Sequence, residues 1–198
     1  MTKPKVLVMS GSARTGSFNR KLAALAAEAA QREGAEVTVL DLRALGLPLY
    51  DADDEAAALP AGALELRRVF AAHQAVLISA PEYNSFVTPL LVNSFAWLSR
   101  VPAGEGQASG LGVTAGKPTG LLSASPGALG GLRGLIFLRS FLSANFGMLV
   151  VPDTHSVSAA NQAFDEQGKL TDAKHQAGLE RVVRAVVKTA TALGAIAS

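Results

Sequence analysis

The stretch Ser10-Gly11-Ser12-Ala13-Arg14-Thr15-Gly16-Ser17-Phe18-Asn19 holds the densest set of chemically useful side chains in the chain. It follows the apolar run Val6-Leu7-Val8-Met9 and precedes a segment rich in Ala, Leu, Glu and Lys. A strand-to-helix turn of this kind presents unpaired N–H groups and the positive end of a helix dipole to an anion. The hydroxyls of Ser12, Thr15 and Ser17 can donate to phosphate oxygens, and Arg14 can bond a phosphate through two N–H groups. Asn19, within the first helical turn, can add its amide. A Walker loop would end in Gly-Lys-Ser/Thr, and a dinucleotide turn would read G-x-G-x-x-G; Gly11 and Gly16 stand alone here and satisfy neither. The plainer alternative is that Ser17 caps the helix and the other polar groups face water.

Two further loops carry suitable residues. In Pro81-Glu82-Tyr83-Asn84 the proline stiffens the turn, and the N–H groups after it can bond the edge of a polar ring. Tyr83 adds an aromatic surface. The alternative is an ordinary turn in which Asn84 or Ser85 caps the next helix. In Ser123-Ala124-Ser125-Pro126-Gly127-Ala128-Leu129-Gly130-Gly131 four small residues, Gly127, Ala128, Gly130 and Gly131, allow a ligand close to the backbone. The alternative there is a flexible turn capped by Ser125. Arg133 and Arg139 follow; they either meet the phosphates of a nicotinamide dinucleotide or point into solvent. Tyr50 and the acidic run Asp51–Glu55 read as a solvated loop rather than a pocket wall, and Trp97 as core or interface.

The elements that must position these loops alternate in type. Strands are expected at Val6–Met9, Glu36–Leu40, Ala75–Ala80, Pro118–Ser123 and Met148–Val151, from short apolar, β-prone runs. Helices are expected at Ser17–Arg32, Leu64–His73, Pro89–Arg100, Leu129–Phe146 and Thr171–Ala197. Residues 43–63 read as a loop with a short helix, and 101–116, rich in Gly and Ala, as a mobile loop. Such alternation implies a doubly wound five-stranded parallel sheet with helices on both faces. Ligands of these sheets bind beyond the carboxyl ends of the strands. The three loops lie at such ends and should converge.

Composition narrows the field. With 198 residues, 49% apolar and only 17% charged, the chain suits one α/β domain over residues 1–198. The net charge of +2 is scattered rather than striped, which argues against a nucleic-acid partner. Absence of cysteine excludes disulfides and thiolate chemistry. The three histidines share no helical spacing, so a metal site is not expected. No apolar run approaches a membrane span, and Thr2-Lys3-Pro4-Lys5 is unlike a signal peptide, so a cytoplasmic protein is expected.

The stretches GSARTGSFNRKLA (11–23), LPLYDAD (47–53), AVLISAPEYNSFVTPLLVNSFAWLSR (75–100), GKPTGLLSASPGALGGLRGLIFLRSFL (116–142) and FDEQGKLTD (164–172) resemble the NADPH-dependent FMN reductase family, which includes bacterial quinone and chromate reductases. The resemblance spans nearly the whole chain and implies a flavodoxin-like fold with FMN as cofactor and NAD(P)H as co-substrate. It implies that Ser12, Arg14, Ser17, Phe18 and Asn19 hold the FMN phosphate and the start of its ribityl chain. Pro81, Glu82, Tyr83 and Asn84 would contact the isoalloxazine ring, largely through backbone, with Ser125 and Gly127 closing the other side. It also implies a homodimer or homotetramer with helix 89–100 in the interface. The sequence departs from the family pattern at Thr88-Pro89 and Val92-Asn93-Ser94-Phe95-Ala96-Trp97, and loop 101–116 is longer than usual.

Hydride transfer through a flavin requires no acid, base or nucleophile from the protein. The expected activity is therefore NAD(P)H oxidation followed by reduction of a small acceptor: a quinone, azo compound, metal oxyanion or free flavin. Both substrates would use one open ring face in turn. The rival is an FMN-binding electron-transfer or flavin-sensing protein without direct NAD(P)H oxidation. Small flavodoxins are usually strongly acidic, and this chain is not.

Overall fold

The computed structural model describes residues 3–196. In chain order the strands are β1 (Lys5–Ser10), β2 (Glu36–Leu40), β3 (Ala75–Ser79), β4 (Glu82–Tyr83), β5 (Phe86–Val87), β6 (Pro118–Ala124) and β7 (Leu149–Val157). The helices are α1 (Phe18–Arg32), α2 (Ala52–Ala57), α3 (Ala61–Ala71), α4 (Pro89–Arg100), α5 (Leu132–Phe146), α6 (Ala160–Ala163) and α7 (Ala173–Ile196). One sheet runs β2-β1-β3-β6-β7 with every pair parallel, while β4 and β5 form a separate antiparallel hairpin. This is the flavodoxin-like order, with its switch point between β1 and β3.

Alternation along each strand divides the interior in two. Val6, Val8, Ala75, Leu77, Leu122 and Ala124 pack under α1 and α7. Leu7, Met9, Val76, Ile78 and Leu121 pack under α3, α4 and α5. Both faces are covered, which is why the central strands read as continuous apolar runs.

The expected elements are present, with differences that have local causes. Helix α5 begins at Leu132, not Leu129, because Gly130 and Gly131 have φ of 62° and 93°, outside the helical region. A Cβ on Gly131 would collide with Ser123, and one on Gly130 would lie 2.7 Å from the Val157 carbonyl carbon. These glycines therefore serve packing rather than ligand approach. Strand β7 continues past Val151 through Pro152. The register against β6 shifts there, with Thr119 opposite Val150 and Leu121 opposite Thr154, so Pro152 lies in an edge irregularity where its missing N–H costs little. Arg139 satisfies the loosened carbonyls, donating to Val150 O (3.1 Å), Val151 O (2.8 Å) and Pro152 O (3.1 Å).

Loop 101–116, expected to be mobile, is anchored instead. Buried Arg67 donates to Pro102 O at 2.7 Å, and Thr114 Oγ1 bonds Phe146 O at 2.9 Å. Tyr50 leaves the solvated-loop reading as well. Its ring meets Trp97 edge-on at 5.1 Å, and Trp97 Nε1 donates to Pro48 O at 2.8 Å. Segment 47–59 thus covers the side of α4 that the sequence left unaccounted for. Helix α3 starts three residues earlier than expected, and α7 begins at Ala173, where Asp172 Oδ1 accepts from Lys174 N. Thr2 and the expected helix end at Ala197 lie outside the described residues.

Candidate functional site

The first loop leaves β1 and enters α1. Ser17 is the N-cap, its Oγ accepting from Asn19 N at 3.2 Å, so its own O–H remains available to donate. Ser12 is buried, and its Oγ accepts from Arg14 N at 3.4 Å. A Cβ on Gly11 would collide with Leu91, and Thr88 Oγ1 donates to Gly11 O at 2.8 Å. Gly11 is therefore dictated by the approach of α4. Arg14 is exposed and has no ion-pair partner among the described residues; its guanidinium lies 5.9 Å from the centre of the Phe18 ring. The first-turn N–H groups of α1 have no intrahelical acceptor.

Asn19 ties this loop to the rest of the sheet edge. Its Oδ1 accepts from Ser79 Oγ and Ala124 N, both at 3.0 Å, and its Nδ2 donates to Ala124 O at 2.8 Å. One amide hydrogen stays uncommitted.

The second loop is a hairpin that the sequence reading missed. Thr88, not Asn84 or Ser85, heads α4. Asn84 and Ser85 have φ of 51° and 65° and form the two-residue turn between β4 and β5. Left-handed residues at both turn positions match the twist of a hairpin. Tyr83 and Phe86 pair across it and stand 47% and 49% exposed. Glu82 turns its carboxylate away, toward the start of α5. It accepts from Arg133 Nη2 (2.5 Å) and Nε (2.9 Å) and from Gly134 N (3.0 Å). Burial works to raise the Glu82 pKa, but the Gly134 N–H and the Arg133 guanidinium outweigh it and hold the carboxyl below its usual range. Arg133 is thereby a clamp on the hairpin while its side chain stays exposed, and Arg139, expected to meet a dinucleotide's phosphates or solvent, is instead a cap on β7.

In the third loop Ser125 N donates to Val157 O at 3.0 Å, and Ser125 Oγ accepts from Gly127 N at 3.3 Å. The three loops meet. Ser12, Arg14, Ser17, Phe18 and Asn19 join Pro81, Glu82, Tyr83 and Ser125 around one cleft of about 170 Å³. Asn84 and Gly127 stand outside its lining. Ala124 and Pro126 are part of it; Ala124 is there as the end of a strand, which no side-chain type could signal.

The cleft suits a flat ring that carries a phosphate tail. Unpaired Arg14 and the amino end of α1 form a cationic end, and exposed Tyr83 supplies an aromatic border. The one carboxylate in the lining, that of Glu82, is already neutralised by Arg133. These features fit FMN. Elsewhere, His155 and His175, distant in sequence, come within 3.1 Å; among the described residues no three or more potential metal-ligating side chains cluster.

Comparison with known proteins gives the same direction. Residues 4–162 match the family described as NADPH-dependent FMN reductase. The chain is 32% identical over 189 residues to an NAD(P)H-dependent FMN reductase of Pseudomonas aeruginosa, covering 92% of each chain. It is 36% identical over 169 residues to a quinone reductase of Pseudomonas putida, covering 84% of each. Among solved structures it resembles FerB, a flavoenzyme NAD(P)H:(acceptor) oxidoreductase from Paracoccus denitrificans. The TM-score is 0.74 and the identity 27%, over 96% of this chain and 98% of that one. Fold, cleft and sequence agree: the chain belongs to the NADPH-dependent FMN reductase family.

Proposed function

We propose that this protein is an NAD(P)H-dependent oxidoreductase that passes electrons through bound FMN to quinones, azo compounds, metal oxyanions or free flavin. The observation that carries this reading is the single cleft with a cationic end at Arg14 and α1 and an aromatic border at Tyr83. In this reading Arg14 and the α1 N–H groups hold the phosphate. The Ser12 and Ser17 hydroxyls and the spare Asn19 amide hydrogen donate to it and to the start of the ribityl chain. Backbone from Pro81 to Tyr83 meets the ring edge, and Ser125 flanks the far side. When bound, FMN supplies the hydride acceptor and donor. The protein orients the ring, shields one face and leaves the other open beside Tyr83, where the nicotinamide and the acceptor bind in turn. Glu82 keeps its side chain out of this chemistry and fixes the hairpin that borders the open face.

The partners in this reading are small-molecule electron acceptors and a second copy of the chain, as homodimer or homotetramer, with neither nucleic acid nor membrane involved. A groove of about 350 Å³ between α4 and α5, walled by Val92, Ala96, Leu111 and Phe141, supports self-association. Exposed Leu132, Ile136 and Phe137 extend the apolar surface along α5. Cytoplasmic placement goes with reduced nicotinamide as donor; among the described residues no helix is long and apolar enough to cross a membrane.

The test is FMN titration followed by an NADPH oxidation assay with benzoquinone. FMN has about 30 heavy atoms, and at about 0.3 kcal/mol per atom its binding reaches about 9 kcal/mol, a sub-micromolar Kd. Protein that takes up FMN and turns over NADPH only with quinone present fits the proposal. Failure to bind FMN refutes it, and FMN binding without NADPH oxidation leaves an electron-transfer protein.

A further inference from the structure

At the opposite end of the sheet, by the amino ends of the strands, lies a second cleft of about 320 Å³. Half of its lining is small side chains: Ala71, Ala115, Gly116, Ala190 and Gly194. Lys117 lies in it, just before Pro118 opens β6. Its ammonium donates to the main-chain carbonyl of His73, and among the described residues no carboxylate pairs with it. The charges that act on His73, which also lines the cleft, are all positive. Lys5 on β1 and Arg68 on α3 act with Lys117 to disfavour protonation of His73. Arg68 is tied to Glu65, whereas Lys5 has no ion-pair partner among the described residues.

We propose that Lys117 is a nucleophilic amine that takes an acyl group from a small acyl phosphate entering this cleft. A half-buried amine with one neutral acceptor and no counter-ion among the described residues gains little from staying charged. Burial pushes its pKa down to about 8. The surplus of cations among the described residues favours a small anionic donor such as an acyl phosphate, and the cleft has room for its two- or three-carbon acyl group. In the reaction the amine lone pair attacks the acyl carbon. A C–N bond forms, the acyl C–O bond breaks, phosphate leaves with the electron pair, and the amine proton goes to solvent. The amide product keeps one N–H for the His73 carbonyl and removes the buried charge. The flavin cleft takes no part, so this inference stands apart from the proposed oxidoreductase activity.

At pH 7.5 an amine of pKa about 8 is roughly one quarter neutral, against about one part in a thousand for an ordinary lysine. Lower basicity also lowers nucleophilicity; with the slope known for thiols, the net gain is about tenfold. The full-length, FMN-loaded protein is incubated with acetyl phosphate, and occupancy at each lysine is followed by peptide mass spectrometry. Lys117 should acetylate about tenfold faster than exposed Lys174 and Lys188, and unfolding in guanidinium should erase the difference. An uncharged acetyl ester should show a smaller preference for Lys117. Equal rates at the three lysines would overturn the nucleophile, and an equal preference with the uncharged ester would overturn the anionic donor.

Discussion

Arg14 is an exposed cation without a carboxylate partner, standing over Phe18 at the mouth of the cleft. Its proposed role as a phosphate ligand could be put forward from the sequence because the chemistry lies in the residue type and in its place between a strand and a helix. Arg14→Ala should weaken FMN binding by about 1.5–3 kcal/mol, the range for a hydrogen bond to a charged group. Riboflavin, which lacks the phosphate, should bind the variant almost unchanged in fluorescence titrations; equal losses for both would assign Arg14 to folding alone. Ser123 shows the opposite case. Its Oγ is buried and has no partner among the described residues, wedged where Gly131 passes. Ser123→Ala should stabilise the FMN-free protein by about 1 kcal/mol. The melting temperature should rise by about 2–4 °C; a fall would place an unseen acceptor or donor at that hydroxyl. No sequence pattern could signal this, nor the double duty of Asn19, whose partners are 60 and 105 residues away.

Elements were read best where periodicity and punctuation agree, as in β1, α1 and β3. They were read worst where tertiary contacts overrule local signals. Pro152 looked like the end of a strand, yet Arg139 on α5 supplies the donors that let β7 run on. The β4–β5 hairpin carries two non-glycine residues in the left-handed region, so no glycine marked its turn. The contact between β7 and α7 was equally hidden. His155 on β7 is packed beneath Gly178, whose Cβ would collide with the imidazole. Burial first, then His175, Arg181 and Lys174, push the His155 pKa down to about 4. Asp153 is the carboxylate nearby, and it is bound to Arg181 at 3.0 Å. His155 stays neutral in the fold while the unfolded chain takes up a proton below about pH 6.5, so the unfolded state binds more protons in this window. Stability should therefore fall as pH drops from 6.5 toward 4. Buried His73, also lowered first by burial, adds a slope of the same sign. His155→Phe should flatten but not abolish the trend in urea titrations at stepped pH. A variant with the unaltered slope would show that α7 does not sense this proton.

At the scale of the molecule, the parallel sheet followed from the βα alternation alone, whereas the strand order that sets the switch point and which surfaces stay open did not. If one ring face beside Tyr83 serves both substrates, NAD(P)⁺ must leave before the acceptor enters. Turnover should then give parallel lines in double-reciprocal plots, with inhibition by high quinone. The competing arrangement, a separate nicotinamide pocket at Arg133, has lost its free cation to Glu82. Intersecting lines over a wide range of both substrates would restore it. The α4–α5 groove predicts a dimer or tetramer mass in light scattering at micromolar concentration; a monomer mass would refute self-association through that face. The Asn19 clasp also has a kinetic consequence. Its amide can close only after β3 and β6 have paired beside β1, because it bonds Ser79 on one and Ala124 on the other. The cleft is thus a late product of refolding, assembled from long-range contacts that form slowly. Quenching of flavin emission after dilution from urea should lag behind the return of helical circular dichroism, marking the moment the three loops lock.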